Sequence, residues 1–229
     1  MKTTKKCTTF PSVVWMVNVI EVDRFVATED YVSDICWLAR ISNPNATYTG
    51  MNNDKLIRYL IDHKHWSPFE MRNICLYVET TRDIARQMLR HRSFSFQEFS
   101  QRYAEVELGC DVRETRLTNP TNRQSSLPNK DLTLDMWWQD AQRMVLDTCQ
   151  DVYESALENG IAKEVARSVL PEGLTPSYLY VNGTVRSWIH YIDLRTQPET
   201  QKEHRELAVA CAKAIEPVFP MIMEFCHDD

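Results

Sequence analysis

The chain has 229 residues, 43% of them hydrophobic and 25% charged, which is enough to bury a sizeable core as one large domain or two small ones. Its formal net charge of -6 argues against a general nucleic-acid binder, whose phosphate affinity rests on clustered Lys and Arg; any basic patch has to be local and suits a small anionic ligand. Seven widely spaced cysteines (Cys7, Cys36, Cys75, Cys110, Cys149, Cys211, Cys226) with no Cys-x-x-Cys argue against a disulfide framework or a zinc site, and fit a reducing cytoplasm.

In chain order, Lys5 and Lys6 before the apolar residues 13–20 faintly resemble a signal peptide. Pro11 and Asn18 interrupt the run and Glu21 and Asp23 follow it, so it reads as a buried strand. No apolar stretch is long enough to span a membrane. Residues 30–41 read as a helix with Ile35, Leu38 and Ala39 on one face, and Asn53 or Asp54 is expected to cap a second helix to about His63. Residues 74–79 alternate as a strand does, after which Thr80 and Thr81 are expected to cap a helix from Arg82 to about His91. Residues 115–131, rich in Asn, Thr, Ser and Pro, read as a loop. A long helix follows over 132–159, stopped by Gly160, then a short one over 163–170 ended by Pro171. A strand over 178–181 leads through Asn182 and Gly183 into a helix from Thr184 to Arg195, and a last helix spans about 199–216, broken by Pro217 and Pro220. Strands among long helices imply α+β or α/β.

The chemistry concentrates in residues 87–103, QMLRHRSFSFQEFSQRY. Arg90, His91 and Arg92 fall at a predicted helix end, where cations complement the helix dipole with no further role. The loop beyond adds Glu98, Ser100, Arg102 and Tyr103 among Phe94, Phe96 and Phe99. Forked guanidinium donors with a hydroxyl are what a phosphate monoester needs, and Glu98 can restrain Arg side chains or accept from a ligand. His63 and His65 alternate as ligands on a strand face do, without a third ligand of evident spacing. Without a wider match, Ser67-Pro68 reads as a turn, and Arg167 as the ion-pair partner of Glu164 or another acid. Along 184–195, Val185, Trp188, Ile189 and Ile192 make an apolar face, and Arg186, His190 and Asp193 a polar stripe.

Arg90-His91-Arg92 followed after seven residues by Ser100, with Glu98 and Arg102-Tyr103, resembles the signature of flavin-dependent thymidylate synthases. Residues 63–70 (HKHWSPFE), 164–167 with Leu170-Pro171, and 182–195 (NGTVRSWIHYIDLR) resemble three further family segments in the same order. The resemblance reaches from Arg40 to Arg205. It implies one α+β domain over residues 1–229, a twisted, largely antiparallel sheet flanked by long helices. It implies reductive methylation of dUMP to dTMP with 5,10-methylenetetrahydrofolate, FAD and NADPH, in a homotetramer whose sites lie between subunits. It assigns dUMP to Gln87, Arg90, Glu98, Ser100, Gln101, Arg102, Arg167 and Arg195, with Arg195 as the catalytic group beside the ionised pyrimidine. It assigns FAD to His65, Ser67, Glu70, Arg90, His91, Arg92, Glu98, Thr184, Arg186 and His190.

No cysteine has an activating context, which agrees with a route that uses no thiolate. No folate motif is legible and no Gly-x-Gly-x-x-Gly occurs, so the resemblance implies nicotinamide meeting the flavin without a Rossmann unit. Two other classes compete: a metal-dependent phosphohydrolase using His63, His65, His91 and Glu98, and a nucleic-acid module using the Arg-rich segment, the latter disfavoured by the acidic charge.

Overall fold

The computed structural model describes residues 14–17, 30–42, 52–108 and 112–227. Its centre is a four-stranded antiparallel sheet of β1 (Val14–Val17), β2 (Asn73–Thr81), β6 (Pro176–Thr184) and β3 (Ser95–Glu98), in the order β1-β2-β6-β3. β2 and β6 pair along their whole length, from Asn73 against Thr184 to Thr81 against Pro176. Period-two alternation sends Ile74, Leu76 and Val78 of β2 with Leu179 and Val181 of β6 into the core. The other face carries Tyr77 against Tyr180, ring centroids 5.2 Å apart. The α+β expectation with an antiparallel sheet is thus met.

Two helices do most to complete this core. α6 (Val185–Arg195) buries Val185, Trp188, Ile189 and Ile192, the face the sequence predicts, and Trp188 Nε1 donates to Ile74 O of β2 at 3.0 Å. α7 (Lys202–Ile215) buries Leu207, Ala208, Cys211, Ala212 and Ile215. α1 (Tyr31–Arg40) and α2 (Asn53–Asp62) add Ile35, Cys36, Ile57 and Leu60, and α3 (Arg82–Met88) adds Ile84, Ala85 and Met88.

α4 (Leu132–Glu158) stands apart from it. Asp131 caps it by accepting from the N–H groups of Thr133 and Leu134, and Gly160 stops it at φ +78°. Its own small core joins Tyr153 to Val106 and to Ala166 of α5 (Lys163–Ala166).

Several expectations shift. The cap of α2 is Asn52, one residue earlier than expected, accepting from Lys55 N. Thr80 and Thr81 belong to β2; Thr81 precedes α3, but its hydroxyl donates to the Asp83 carboxylate instead of capping an N–H. α3 stops at Met88, three residues before His91. Residues 95–98, read as loop, form β3 because β6 offers them a free edge. The expected loop 115–131 contains a hairpin, β4 (Arg116–Thr118) paired with β5 (Ser126–Pro128). Only 163–166 of the short helix is α-helical before a 3₁₀ turn at 167–169. Asn182 and Gly183 continue β6, and α7 begins at 202 after a turn in which Thr200 N donates to Gln197 O. Of the expected strand 13–20, residues 14–17 form β1 and the rest lies outside the described residues.

Candidate active site

Gly183 explains how the site's two halves meet. A Cβ there would fall inside the ring of Phe94, so the missing side chain lets the 91–94 loop lie against the start of α6. Ser187 Oγ, which donates to Ser93 O at 3.3 Å, and Phe94 on Trp188, ring centroids 4.5 Å apart, fasten the loop there. Thr184 starts the helix by accepting from Ser187 N at 3.2 Å.

Two polar groups result. In the first, Glu70 of the 3₁₀ turn 67–71 accepts from Arg186 Nη1 at 2.6 Å and from Thr184 Oγ1 at 3.0 Å. Burial alone would raise the Glu70 carboxyl, but these two donors more than offset it and hold it below its ordinary value. Arg186 Nε reaches His190 Nε2 at 3.4 Å, and the His190 ring packs edge-on against Trp66 at 4.7 Å. Burial, aided by Arg186, lowers the His190 pKa. His65 and Ser67 flank this group and are exposed.

In the second, Arg195 at the end of α6 donates from Nε to His91 Nε2 at 2.8 Å. Accepting there leaves the neutral ring's proton on Nδ1. Burial and the Arg195 charge push the His91 pKa down to about 4, so the imidazole stays neutral and the guanidinium keeps its charge. Burial lowers the Arg195 pKa, and the positive charge of Arg90 lowers it further. Arg90 and Arg195 thus repel each other. Neither Arg90 nor Arg92 makes a side-chain hydrogen bond or ion pair among the described residues, and both are exposed. Guanidiniums left without a carboxylate partner are chemically suited to an anion.

Gln87 is half-buried behind this group, hydrogen-bonded to Gln201 and His204. Glu98 accepts from Ser177 Oγ at 2.7 Å and, of the two roles the sequence left open, makes no ion pair with an Arg among the described residues. Ser100 Oγ accepts from Arg102 N at 3.4 Å. Gln101 is 3% exposed, and its buried Nε2 has no hydrogen-bond partner among the described residues. A buried N–H without an acceptor costs stability unless a ligand supplies one.

Arg102 and Arg167 are placed elsewhere. Arg102 pairs with the Glu164 carboxylate at 3.3 Å, while Arg167 touches only the Glu164 main-chain oxygen at 3.4 Å. The alternative Glu164–Arg167 ion pair is therefore not formed. No described hydrogen bond or ion pair joins these two Arg to Arg195. His63 does not share a strand face with His65: it ends α2, stacks on Tyr59 at 4.0 Å, and Lys64 turns the chain at φ +56°. Among the described residues, His63, His65, His91 and Glu98 do not converge into a metal-binding group.

Sequence reasoning missed Gln201, Glu203 and His204. They lie behind the site, and only the spatial proximity of α3, α6 and α7 reveals them.

The fold has solved counterparts, which define the class. The UMP/dUMP methylase PolB from Streptomyces cacaoi, bound with 5-Br UMP, matches with a TM-score of 0.75 at 25% identity over 93% of this chain and 92% of that one. The same enzyme bound with 5-Br dUMP matches with a TM-score of 0.77 at 25% identity over 93% of each chain. The family model described as thymidylate synthase complementing protein matches residues 24–221. The probable flavin-dependent thymidylate synthase of Paramecium bursaria Chlorella virus 1 is 46% identical over 82% of this chain and 87% of its own. The flavin-dependent thymidylate synthase of a Synechocystis species is 47% identical over 82% and 86%. The chain belongs to the flavin-dependent thymidylate synthase family.

Proposed function

We propose that this protein, as one domain over residues 1–229, converts dUMP to dTMP by reductive methylation in the cytoplasm, with 5,10-methylenetetrahydrofolate as carbon donor and NADPH as the source of reducing power. The observation that carries the reading is Arg195 held by His91 at 2.8 Å, its charge felt by Arg90, with neither guanidinium paired to a carboxylate among the described residues. A dianionic nucleotide whose pyrimidine ionises at N3 supplies the missing charge. Arg195, half-buried and held by neutral His91, stabilises that ring anion, which makes C5 nucleophilic. Arg90, Ser100 and Arg102 bind the phosphate, Gln101 gives its orphan N–H to the same ligand, and Gln87, Glu98 and Arg167 complete the nucleotide site.

The unpaired guanidiniums of Arg90 and Arg92 fit the diphosphate of FAD. His65, Ser67, Glu70, His91, Glu98, Thr184, Arg186 and His190 line the rest of the flavin site. When bound and reduced, FAD supplies the hydride. No thiolate is needed: burial raises the Cys36 thiol to about 11, also raises Cys75, and raises Cys211 further still. The separation of Arg102 and Arg167 from Arg195 supports a site completed by a second copy, in a homotetramer.

The test is reconstitution of the apoprotein with FAD, followed by fluorescence, and then dTMP formation from dUMP, methylenetetrahydrofolate and NADPH. Saturable FAD binding with FAD-dependent turnover is expected. No saturable binding at micromolar FAD, or turnover without flavin, would overturn the reading.

A further inference from the structure

His204 lies in none of the motif segments, yet it is fully buried in α7 behind the site. Its Nε2 is 3.1 Å from Tyr191 Oη, and its Nδ1 is 3.2 Å from Gln87 Oε1. Gln87 Nε2 donates to Gln201 Oε1 at 2.8 Å, and Gln201 Nε2 donates to Glu203 Oε2 at 2.9 Å. The chain has only one consistent direction. A carboxylate only accepts, so Gln201 turns its nitrogen to Glu203 and its oxygen to Gln87. Gln87 then turns its nitrogen to Gln201 and its oxygen to His204, which must donate from Nδ1. Neutral His204 is left with a bare Nε2 that accepts from the Tyr191 hydroxyl. The Glu203 carboxylate that sets this order is itself held by Arg113 Nη1 at 3.2 Å and Arg116 Nη2 at 2.6 Å. The Tyr191 ring packs edge-on against His91, centroids 5.0 Å apart, so the chain backs directly onto the Arg195 site.

We infer that His204, Gln201 and Glu203 are positioning residues that hold the Gln87 amide in one orientation, keeping one N–H and one oxygen lone pair of Gln87 for an oxygen and a donor of the bound nucleotide. The inference rests on the reading that Gln87 contacts dUMP. His204 holds the amide's oxygen and is itself anchored by Tyr191, and Gln201 holds its nitrogen and is anchored by Glu203, so removing either frees the amide to swing.

The experiment measures dUMP binding to the FAD-loaded enzyme by calorimetry, with FAD affinity as the second readout, for His204→Phe, His204→Asn, Gln201→Leu, Gln87→Leu and the double variants of Gln87→Leu with each of the first and third. His204→Phe and Gln201→Leu should each weaken dUMP on the order of fivefold, the worth of one ordinary hydrogen bond, with FAD binding unchanged. His204→Asn, which keeps a donor toward Gln87, should restore most of that loss. In the Gln87→Leu background neither substitution should weaken dUMP further, because they act through that amide. If Gln87→Leu weakens dUMP but His204→Phe and Gln201→Leu do not, the positioning role is overturned and the Gln87 contact stands. If Gln87→Leu itself leaves dUMP affinity unchanged, the contact and the positioning role both fall. Additive losses in the double variants would also overturn it. Should His204→Phe not fold, Gln201→Leu, at the half-buried entry to α7, decides alone.

Discussion

The sheet with α6 and α7 and the α4 arm are built on opposite terms. In α6, six of eleven residues are buried, and they close on the sheet. In α4, 27 residues bury only Gln142, Leu146 and Tyr153, while Met136, Trp137 and Met144 stay 66%, 62% and 68% exposed. Large apolar side chains exposed along a long helix make a surface suited to a partner. The first region finishes its own core and holds Arg195 and His91; the second region, with Arg102 and Arg167 nearby, leaves its apolar side chains exposed. The positions of the charges therefore divide along the same line as the packing.

Breaking the arm should have the largest effect. Met136→Glu with Trp137→Glu should dissociate the assembly, since each apolar side chain loses about 1.5–3 kcal/mol of burial. Light scattering should show the smaller species, with dTMP formation lost and helical circular dichroism kept. An active oligomer of parental mass would erase the contrast between the two regions. Within the first region, Arg195→Lys keeps the charge but loses the planar fork, and should slow dTMP formation by about 10²–10³. Near-normal turnover there, or an inactive but folded and FAD-binding Cys→Ala variant, would sink the electrostatic mechanism. Ser100→Ala should weaken dUMP by roughly 1–3 kcal/mol and spare FAD; the reverse pattern in calorimetry would exchange the two assignments.

Stability probes sharpen the same contrast. Gly183→Ala should cost about 1–3 kcal/mol, because the new methyl meets Phe94 and the first region has no slack; an unchanged denaturation midpoint would contradict it. Acidification probes the buried histidines. His91 and His204, lowered to about 4 and about 3 by burial and by the Arg195 charge, stay neutral in the fold but protonate near 6.5 once unfolded. The unfolded chain thus binds more protons below pH 6.5, and stability falls as pH drops from 7 toward 4, by up to about 1.4 kcal/mol per pH unit for each histidine. Above pH 7 they contribute no slope. A melting temperature flat between pH 7 and 5, or a slope undiminished in His204→Phe, would refute this.

What was legible in the sequence follows from the range of the forces involved. Helix α6 was readable because its apolar period and the Thr184 cap are local, and the Arg90–Ser100 motif because its spacing is local too. The hairpin within 115–131 was hidden because its strands are three residues each and its burial is slight. β6 was cut short because Asn182-Gly183 carries turn chemistry, while the glycine is there to admit Phe94 from another segment. Glu98 was open to an arginine or a ligand, and its partner Ser177 on the neighbouring strand could not be foreseen from 79 positions away. His204 could not be found at all, since its partners lie 13 and 117 positions away.

Gly183 and Phe94 also set a rule of exchange. The ring occupies the volume that a side chain at 183 would need, so the two positions share a fixed allotment of space. A homologue with a branched aliphatic residue at the first should carry a small residue at the second, and swapping both together should be tolerated where either change alone is not.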